Sequence, residues 1–140
     1  MKLPQILIAV LLSVFGFWLY ITFFDAPIDL PSNTRVVNLI NISGYTHMKC
    51  KTKNVDFEAY IQQKSGSSIK DILEGKHEKL RISKLPREED HFYGCNNCPA
   101  WFSPEKIKNG VMLFNPYFIE GGELYYDYDN ELLYYYMKWI

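Results

Sequence analysis

Three cysteines and one histidine are the residues of this chain whose types and spacing could support chemistry. They fall in two short strings, His47-Met-Lys-Cys50 and Cys95-Asn-Asn-Cys98, and each string offers two side chains separated by two residues. Tetrahedral zinc sites use cysteine and histidine pairs with this local spacing. If the fold brought the two strings together, His47, Cys50, Cys95 and Cys98 could bind zinc.

The same cysteines also fit a structural disulfide, the ordinary state of cysteines in an oxidising compartment. We expect Cys50 to pair with Cys95 or Cys98, closing a loop of about 45 residues and stabilising the fold by up to a few kcal/mol. One thiol would then remain free, and a Cys-x2-Cys pair also permits thiol–disulfide exchange. A thioredoxin-like site is not indicated, because Pro99 and a loop follow the pair where a helix is required. Disulfide, zinc and redox chemistry all stay open.

No catalytic or cofactor motif is found in the rest of the sequence. The serines lack a nucleophile elbow, and there is no glycine-rich phosphate loop. The formal net charge of −1 argues against a nucleic-acid-binding protein, because neutralising phosphates requires an excess of basic residues. We therefore expect a non-catalytic protein without a cofactor, zinc being the alternative, and without a nucleic-acid partner.

The N-terminal residues form a long apolar segment. Residues 5–24 carry no charge, and about twenty helical residues match the ~30 Å hydrocarbon core of a bilayer. Lys2 precedes the segment and Asp25 follows it, which predicts a cytoplasmic N-terminus. A cleaved signal peptide is the alternative, but bulky phenylalanines occupy the boundary where a cleavage site needs small residues. The prediction is a single-pass signal-anchor over residues 1–24 in a cell inner membrane.

The remainder is predicted to form one compact α+β domain over residues 34–140 in the periplasm, joined to the anchor by an extended linker over residues 25–33. Patterns of apolar residues predict strands at residues 34–43, 80–85 and 111–114. Capping residues and glycines predict short helices at residues 55–63, 69–74 and 103–110. The expected fold is an antiparallel sheet of about four or five strands with two or three short helices.

The C-terminal segment is predicted to be a β-hairpin with Asp129-Asn130 as a two-residue type I′ turn. Alternation sorts its side chains onto two faces. One face would be core: Leu124, Tyr126, Tyr128, Leu133, Tyr135, Met137 and Trp139. The other carries the predicted protein-binding residues Tyr125, Asp127, Tyr134 and Tyr136, because clustered exposed tyrosines are typical of protein interfaces. A covering helix would instead make this face a second core.

Charge is distributed unevenly along the sequence. Residues 49–87 contain ten Lys or Arg against five Asp or Glu, whereas residues 88–140 contain three against nine. An acidic C-terminal surface would bind a protein partner with a basic surface, although the two halves could also neutralise each other in the fold. We therefore expect a membrane-anchored, non-catalytic protein-binding module, such as an immunity or inhibitor protein or an accessory subunit of an envelope complex. The alternative is a thiol–disulfide or zinc-site protein.

Overall fold

The structure is a computed structural model that describes residues 3–24, 29–42, 44–86, 98–114, 116–118 and 122–138, with residues 17–24 and 42 described by their backbone alone. The chain divides into two units, Met1–Leu30 and Pro31–Ile140. The first unit contains helix α1 (Leu3–Phe24). The second contains strands β1 (Arg35–Ile42), β2 (Tyr45–Lys51), β3 (Arg81–Leu85), β4 (Gly110–Phe114), β5 (Gly122–Asp127) and β6 (Leu132–Lys138), with helices α2 (Asn54–Ser65) and α3 (Ile69–Leu73) and a 3₁₀ helix at Pro104–Lys106.

Within the described ranges the strands form one six-stranded antiparallel sheet in the order β1-β2-β6-β5-β4-β3. The predicted α+β class with an antiparallel sheet and short helices is confirmed. The strand count was too low, because β2 was not recognised. Its alternation of polar and apolar residues is obscured by three consecutive buried side chains, Thr46, His47 and Met48.

The ends of α2 and α3 are determined by local capping signals. Gly66 ends α2 in the left-handed conformation (φ 74°), and its N–H donates to the carbonyl of Gln62. The Ser68 hydroxyl accepts a hydrogen bond from the Asp71 N–H at 3.2 Å and so caps α3. These two helices are confirmed. The third predicted helix, over residues 103–110, is wrong: only the 3₁₀ helix forms there, and Gly110 begins β4 instead of ending a helix.

Both faces of the central strands β5 and β6 are buried. On one face α2 packs against the sheet, with the Phe57 ring stacked on Tyr126 at a centroid distance of 4.0 Å. On the other face, residues of the 98–109 segment form a cluster with β3–β6 in which Phe102 and Ile107 are buried. The central strands are therefore the middle layer of the compact unit, covered on both sides.

The predicted C-terminal hairpin is confirmed in its register and wrong in its turn. The pairs Tyr125↔Tyr134 and Tyr126↔Leu133 place the two sets of side chains on opposite faces as expected. The last pair is Asp127↔Leu132, so the turn has four residues, and the positive φ falls at Glu131 (52°) and not at the Asp129-Asn130 pair. The Asp127 carboxylate stabilises the turn by accepting hydrogen bonds from the backbone of both residues of that pair. Trp139 lies outside the described residues.

Helix α1 presents exposed apolar side chains: Leu3, Ile6, Leu7, Ile8, Val10, Leu11, Leu12, Val14 and Phe15. A search of the described residues finds no helix whose length and apolar content would suffice to cross a membrane. The span predicted over residues 5–24 therefore stays a prediction. Of the predicted linker, residues 25–28 lie outside the described residues.

Candidate functional site

His47 and Cys98 are the two predicted site residues that the fold brings together. The Nε2 atom of His47, on β2, lies 3.6 Å from the Sγ atom of Cys98. The imidazole is buried between two aromatic rings, with centroid distances of 5.0 Å to both Phe102 and Tyr136. A histidine nitrogen in contact with a cysteine sulfur is positioned to exchange a proton with that sulfur if it becomes a thiol.

The disulfide expected at Cys50 is not formed. Cys98 is disulfide-bonded, whereas Cys50 is a free buried thiol, and Cys95 lies outside the described residues. Cys50 is three positions from His47 on the same strand, so alternation directs it to the opposite face of the sheet. Burial raises the pKa of the Cys50 thiol to about 12, which keeps it protonated and unreactive at neutral pH. The prediction that Cys50 pairs with Cys95 or Cys98 is wrong, because Cys50 lies on the opposite face of the sheet from His47 and its neighbour Cys98.

The predicted zinc set is not assembled either. Cys50 is on the opposite face from His47, and the Cys98 sulfur is committed to a disulfide and so is not a thiolate ligand. Among the described residues, no group of three or more His, Cys, Asp or Glu side chains could hold a metal ion. The local spacing was compatible with zinc, but strand alternation separates the first pair of ligands.

The four residues predicted to form an exposed binding surface are buried. Tyr125, Asp127, Tyr134 and Tyr136 are at most 7% exposed. Phe102 packs edge-on against the rings of Tyr125 and Tyr134 at centroid distances of 6.2 and 5.6 Å. The expectation of an exposed tyrosine surface is thus wrong, because the 98–109 segment covers it. The second core that the sequence left as the alternative is what forms.

Glu123 is a buried carboxyl group on this same face that sequence reasoning missed. It pairs with Tyr136 on β6 and Phe114 on β4, and the Tyr125 hydroxyl donates a short hydrogen bond to its carboxylate. Burial raises the pKa of Glu123 above its ordinary value, and the hydrogen bond from Tyr125 opposes this only in part. The available signal was the alternation itself, which places residue 123 two positions before Tyr125 on the aromatic face.

Replacing Glu123 with glutamine should change how stability depends on pH. Because the folded-state pKa is raised, the native state binds this proton more tightly than the unfolded state does. The contribution of Glu123 to stability is then fully present below the ordinary pKa of 4.5 and is lost as pH rises through the folded-state value. We expect Glu123→Gln to gain stability relative to wild type as pH rises from 4.5 to neutral, measured by thermal unfolding of the full chain in non-ionic detergent.

The matched control for that experiment is Glu78→Gln, which removes an exposed carboxylate. It should follow the wild-type pH profile. A constant stability difference between Glu123→Gln and wild type over the whole range would contradict the assignment of a raised pKa to Glu123.

An open groove of about 750 Å³ lies between α3 and β3. Its apolar lining comes from Ile69, Leu73 and Ile82. Its polar lining comprises two acids, two lysines, a serine and a tyrosine: Glu58, Glu74, Lys70, Lys84, Ser83 and Tyr128. A concave surface with apolar groups and a few polar groups is the usual form of a binding site.

Carboxylates surround the hairpin turn next to this groove. Asp129 and Glu131, in the turn, and Glu58, on α2, are exposed, and the Glu131 carboxylate accepts a hydrogen bond from the Asn54 N–H at 2.9 Å. Burial, with a smaller contribution from the charge of Glu58, raises the pKa of Tyr128 to about 12. Three exposed carboxylates therefore lie in or near this turn, whereas the tyrosine face that carries Glu123 and Asp127 is buried.

Comparisons with protein-family models, with curated proteins and with solved structures find no match to this chain. Three geometric features remain as the basis for a proposal of function. They are the groove between α3 and β3, the carboxylates of the hairpin turn, and the contact between His47 and Cys98.

Proposed function

We propose that this chain is a membrane-anchored, non-catalytic protein-binding module whose compact unit faces the periplasm of a bacterium. Its binding site is the groove between α3 and β3 together with the adjoining carboxylates of the hairpin turn, and its partner presents a basic surface. An immunity or inhibitor protein, or an accessory subunit of an envelope complex, has this general build. The Tyr125, Tyr134 and Tyr136 side chains support the fold of the module from within and do not contact the partner.

The anchor in this proposal is the segment over residues 5–24. It contains no charged residue, and the described apolar side chains of α1 are exposed. Exposed leucine, isoleucine and valine side chains along a helix are costly in water and favourable in hydrocarbon. Lys2 before the segment and Asp29 after it support a cytoplasmic N-terminus.

The observation that carries the binding site is the position of Glu58 and Tyr128, which belong to both features. Both line the groove, and Glu58 is close enough for its charge to raise the pKa of Tyr128, so the groove adjoins the exposed carboxylates of the turn. A basic side chain of a partner can interact with the carboxylates while an adjacent apolar side chain enters the groove. Interfaces combine an apolar centre with a charged rim in this way.

Site-specific photocrosslinking in living bacterial cells tests this proposal. A photoreactive amino acid at Asp129 should give a discrete crosslinked species containing the full chain and one protein, identified by mass spectrometry. The charge-reversing change Glu58→Lys in the same chain should reduce the yield by about tenfold, because a like charge replaces an attractive one at the rim. Glu78→Lys, an equal charge change at an exposed turn, is the control and should leave the yield unchanged.

Two results would contradict the proposal. One is fluorescence from green fluorescent protein fused after Ile140 in a bacterial host, because this reporter folds in the cytoplasm and not in the periplasm. The other is equal crosslinking with and without Glu58→Lys, which would place the partner elsewhere on the module.

The contact between His47 and Cys98 favours a second candidate function, thiol–disulfide exchange. A substrate with two thiols would be oxidised to a disulfide, and the disulfide of Cys98 would accept the two electrons and two protons and become two thiols. His47 lies 3.6 Å from Cys98 and could protonate the departing Cys98 thiolate. Alkylation in glutathione buffers of defined potential separates the two candidates, because a structural disulfide is reduced only below about −300 mV, whereas a catalytic disulfide is reduced at a higher potential.

A further inference from the structure

The two edges of the sheet differ in how they are protected against pairing with another strand. The edge strand β3 has five residues, and two of them, Arg81 and Lys84, are exposed cations. Short length and charged side chains are the usual protection of an edge. The other edge strand, β1, has eight residues, and its only charge is on Arg35, its first residue. The edge formed by β1 therefore lacks the protection that β3 has.

Strand β1 also exposes apolar side chains. Val37 and Leu39 are 45% and 44% exposed. A register shift between Val36 and Asn38 marks a bulge, which is one way of protecting an edge. Pairing with β2 is regular from Asn38 to Ile42, so the bulge does not interrupt this part of the edge. Among the strands that the structure describes, β2 alone pairs with β1, so the backbone groups on its other side point away from the sheet.

We propose that β1 pairs with β1 of a second copy of this chain, joining two sheets into one across a twofold axis. A contact between identical strands that closes by twofold symmetry is antiparallel. Centred between Asn38 and Ile40, this pairing places Arg35 opposite Asn41 or beyond the end of the partner strand. The two Arg35 side chains therefore stay apart, and no like charges face each other along the strand.

The charge pattern of β1 favours a second copy over a charged strand of another protein. A charged partner strand would find only Arg35 to pair with on β1, whereas an apolar strand fits, and β1 is uncharged and largely apolar after Arg35. Pairing covers Val37 and Leu39 of both copies. It also leaves β3 as the outer edge of each half, and β3 carries the protective cations.

The first test measures the polypeptide mass of the full chain in non-ionic detergent by light scattering. The expected mass is twice the chain mass of 16.5 kDa, and Val37→Lys should reduce it to the monomer. Val55→Lys makes the same change at a valine of α2 that is 70% exposed and should remain a dimer. Circular dichroism melting of both variants shows that they are folded. A dimer that persists in Val37→Lys would place the contact elsewhere, for example on α1, and would overturn the proposal.

The second test locates the twofold axis with single cysteines placed along β1 in a Cys50→Ala background. A residue on the axis faces its own copy with Cβ atoms about 4.5–5.5 Å apart, close enough to form a disulfide after a small adjustment. Disulfide-linked dimer should be most abundant at one position between Asn38 and Ile40 and decline on both sides. Lys84→Cys on the opposite edge should give none. Uniform yields along β1, or links to a protein of another mass, would show that a second copy is not the occupant.

Discussion

Replacing Tyr125 with alanine should lower the free energy of unfolding by about 3–5 kcal/mol, the range for removing a large buried aromatic side chain. The Tyr125 ring is fully buried and contacts Phe102 edge-on. Its hydroxyl is also a donor to the buried Glu123 carboxylate, so truncation leaves both a cavity and a carboxyl group without this partner. Thermal and urea unfolding of the full chain in detergent measure the change.

Two further variants separate the causes of that loss. Tyr125→Phe keeps the ring and removes only the donor, and should cost about 1–2 kcal/mol. Tyr117→Ala truncates a tyrosine that is 52% exposed and should cost much less than Tyr125→Ala. A Tyr125→Ala variant as stable as wild type but impaired in partner binding would instead mean that the tyrosine face is an exposed surface.

Local signals in the sequence predicted the helices α2 and α3 and the hairpin register. Gly66 and Ser68 act within one turn of their own positions, and in the structure each caps the end of a neighbouring helix. The hairpin register depends only on where the two strands turn, and the turn was centred correctly at residues 129–130. Such features need no information about distant parts of the chain.

The errors arose where distant segments decide the outcome. Strand alternation places Tyr134 and Tyr136 on one face, but whether that face is exposed depends on the segment around Phe102, which is remote in sequence. Only a 3₁₀ helix forms at Pro104–Lys106, and Ile107, which follows it, is extended and buried in the same cluster. Packing of this kind overrides local propensity.

The cysteines show the same contrast between features that local sequence determines and features that distant segments determine. The two short motifs placed His47 and Cys98 in one predicted set of four zinc ligands, but the position of Cys50 on the other face required knowing that β2 is a strand. Had β2 been recognised, the three-residue separation between His47 and Cys50 would have excluded a joint zinc site from alternation alone. The failure to predict β2 therefore explains both the wrong prediction of a Cys50 disulfide and the wrong prediction of a zinc site.

The glycine at the start of β4 is required by the close approach of the neighbouring backbone. A Cβ atom added at Gly110 would overlap the carbonyl oxygen of Tyr126 and lie 2.6 Å from the Cγ2 atom of Ile107. The Tyr126 carbonyl belongs to the central hairpin strand β5, and Ile107 is buried in the cluster that covers the tyrosine face. Neither neighbour can move without separating β4 from β5 or opening that cluster.

Gly110→Ala should therefore destabilise the compact unit by about 3 kcal/mol or more, at or above the upper end of ordinary overpacking. Two other glycine-to-alanine changes calibrate this value, since neither added methyl group meets an atom within 4 Å. Gly66→Ala, with φ at +74°, should cost about 1 kcal/mol from backbone strain, and Gly16→Ala should leave the unfolding of the compact unit unchanged. Equal melting temperatures for Gly110→Ala and Gly66→Ala would contradict this prediction. They would mean that β4 can shift away from Tyr126 and make room for the added methyl group.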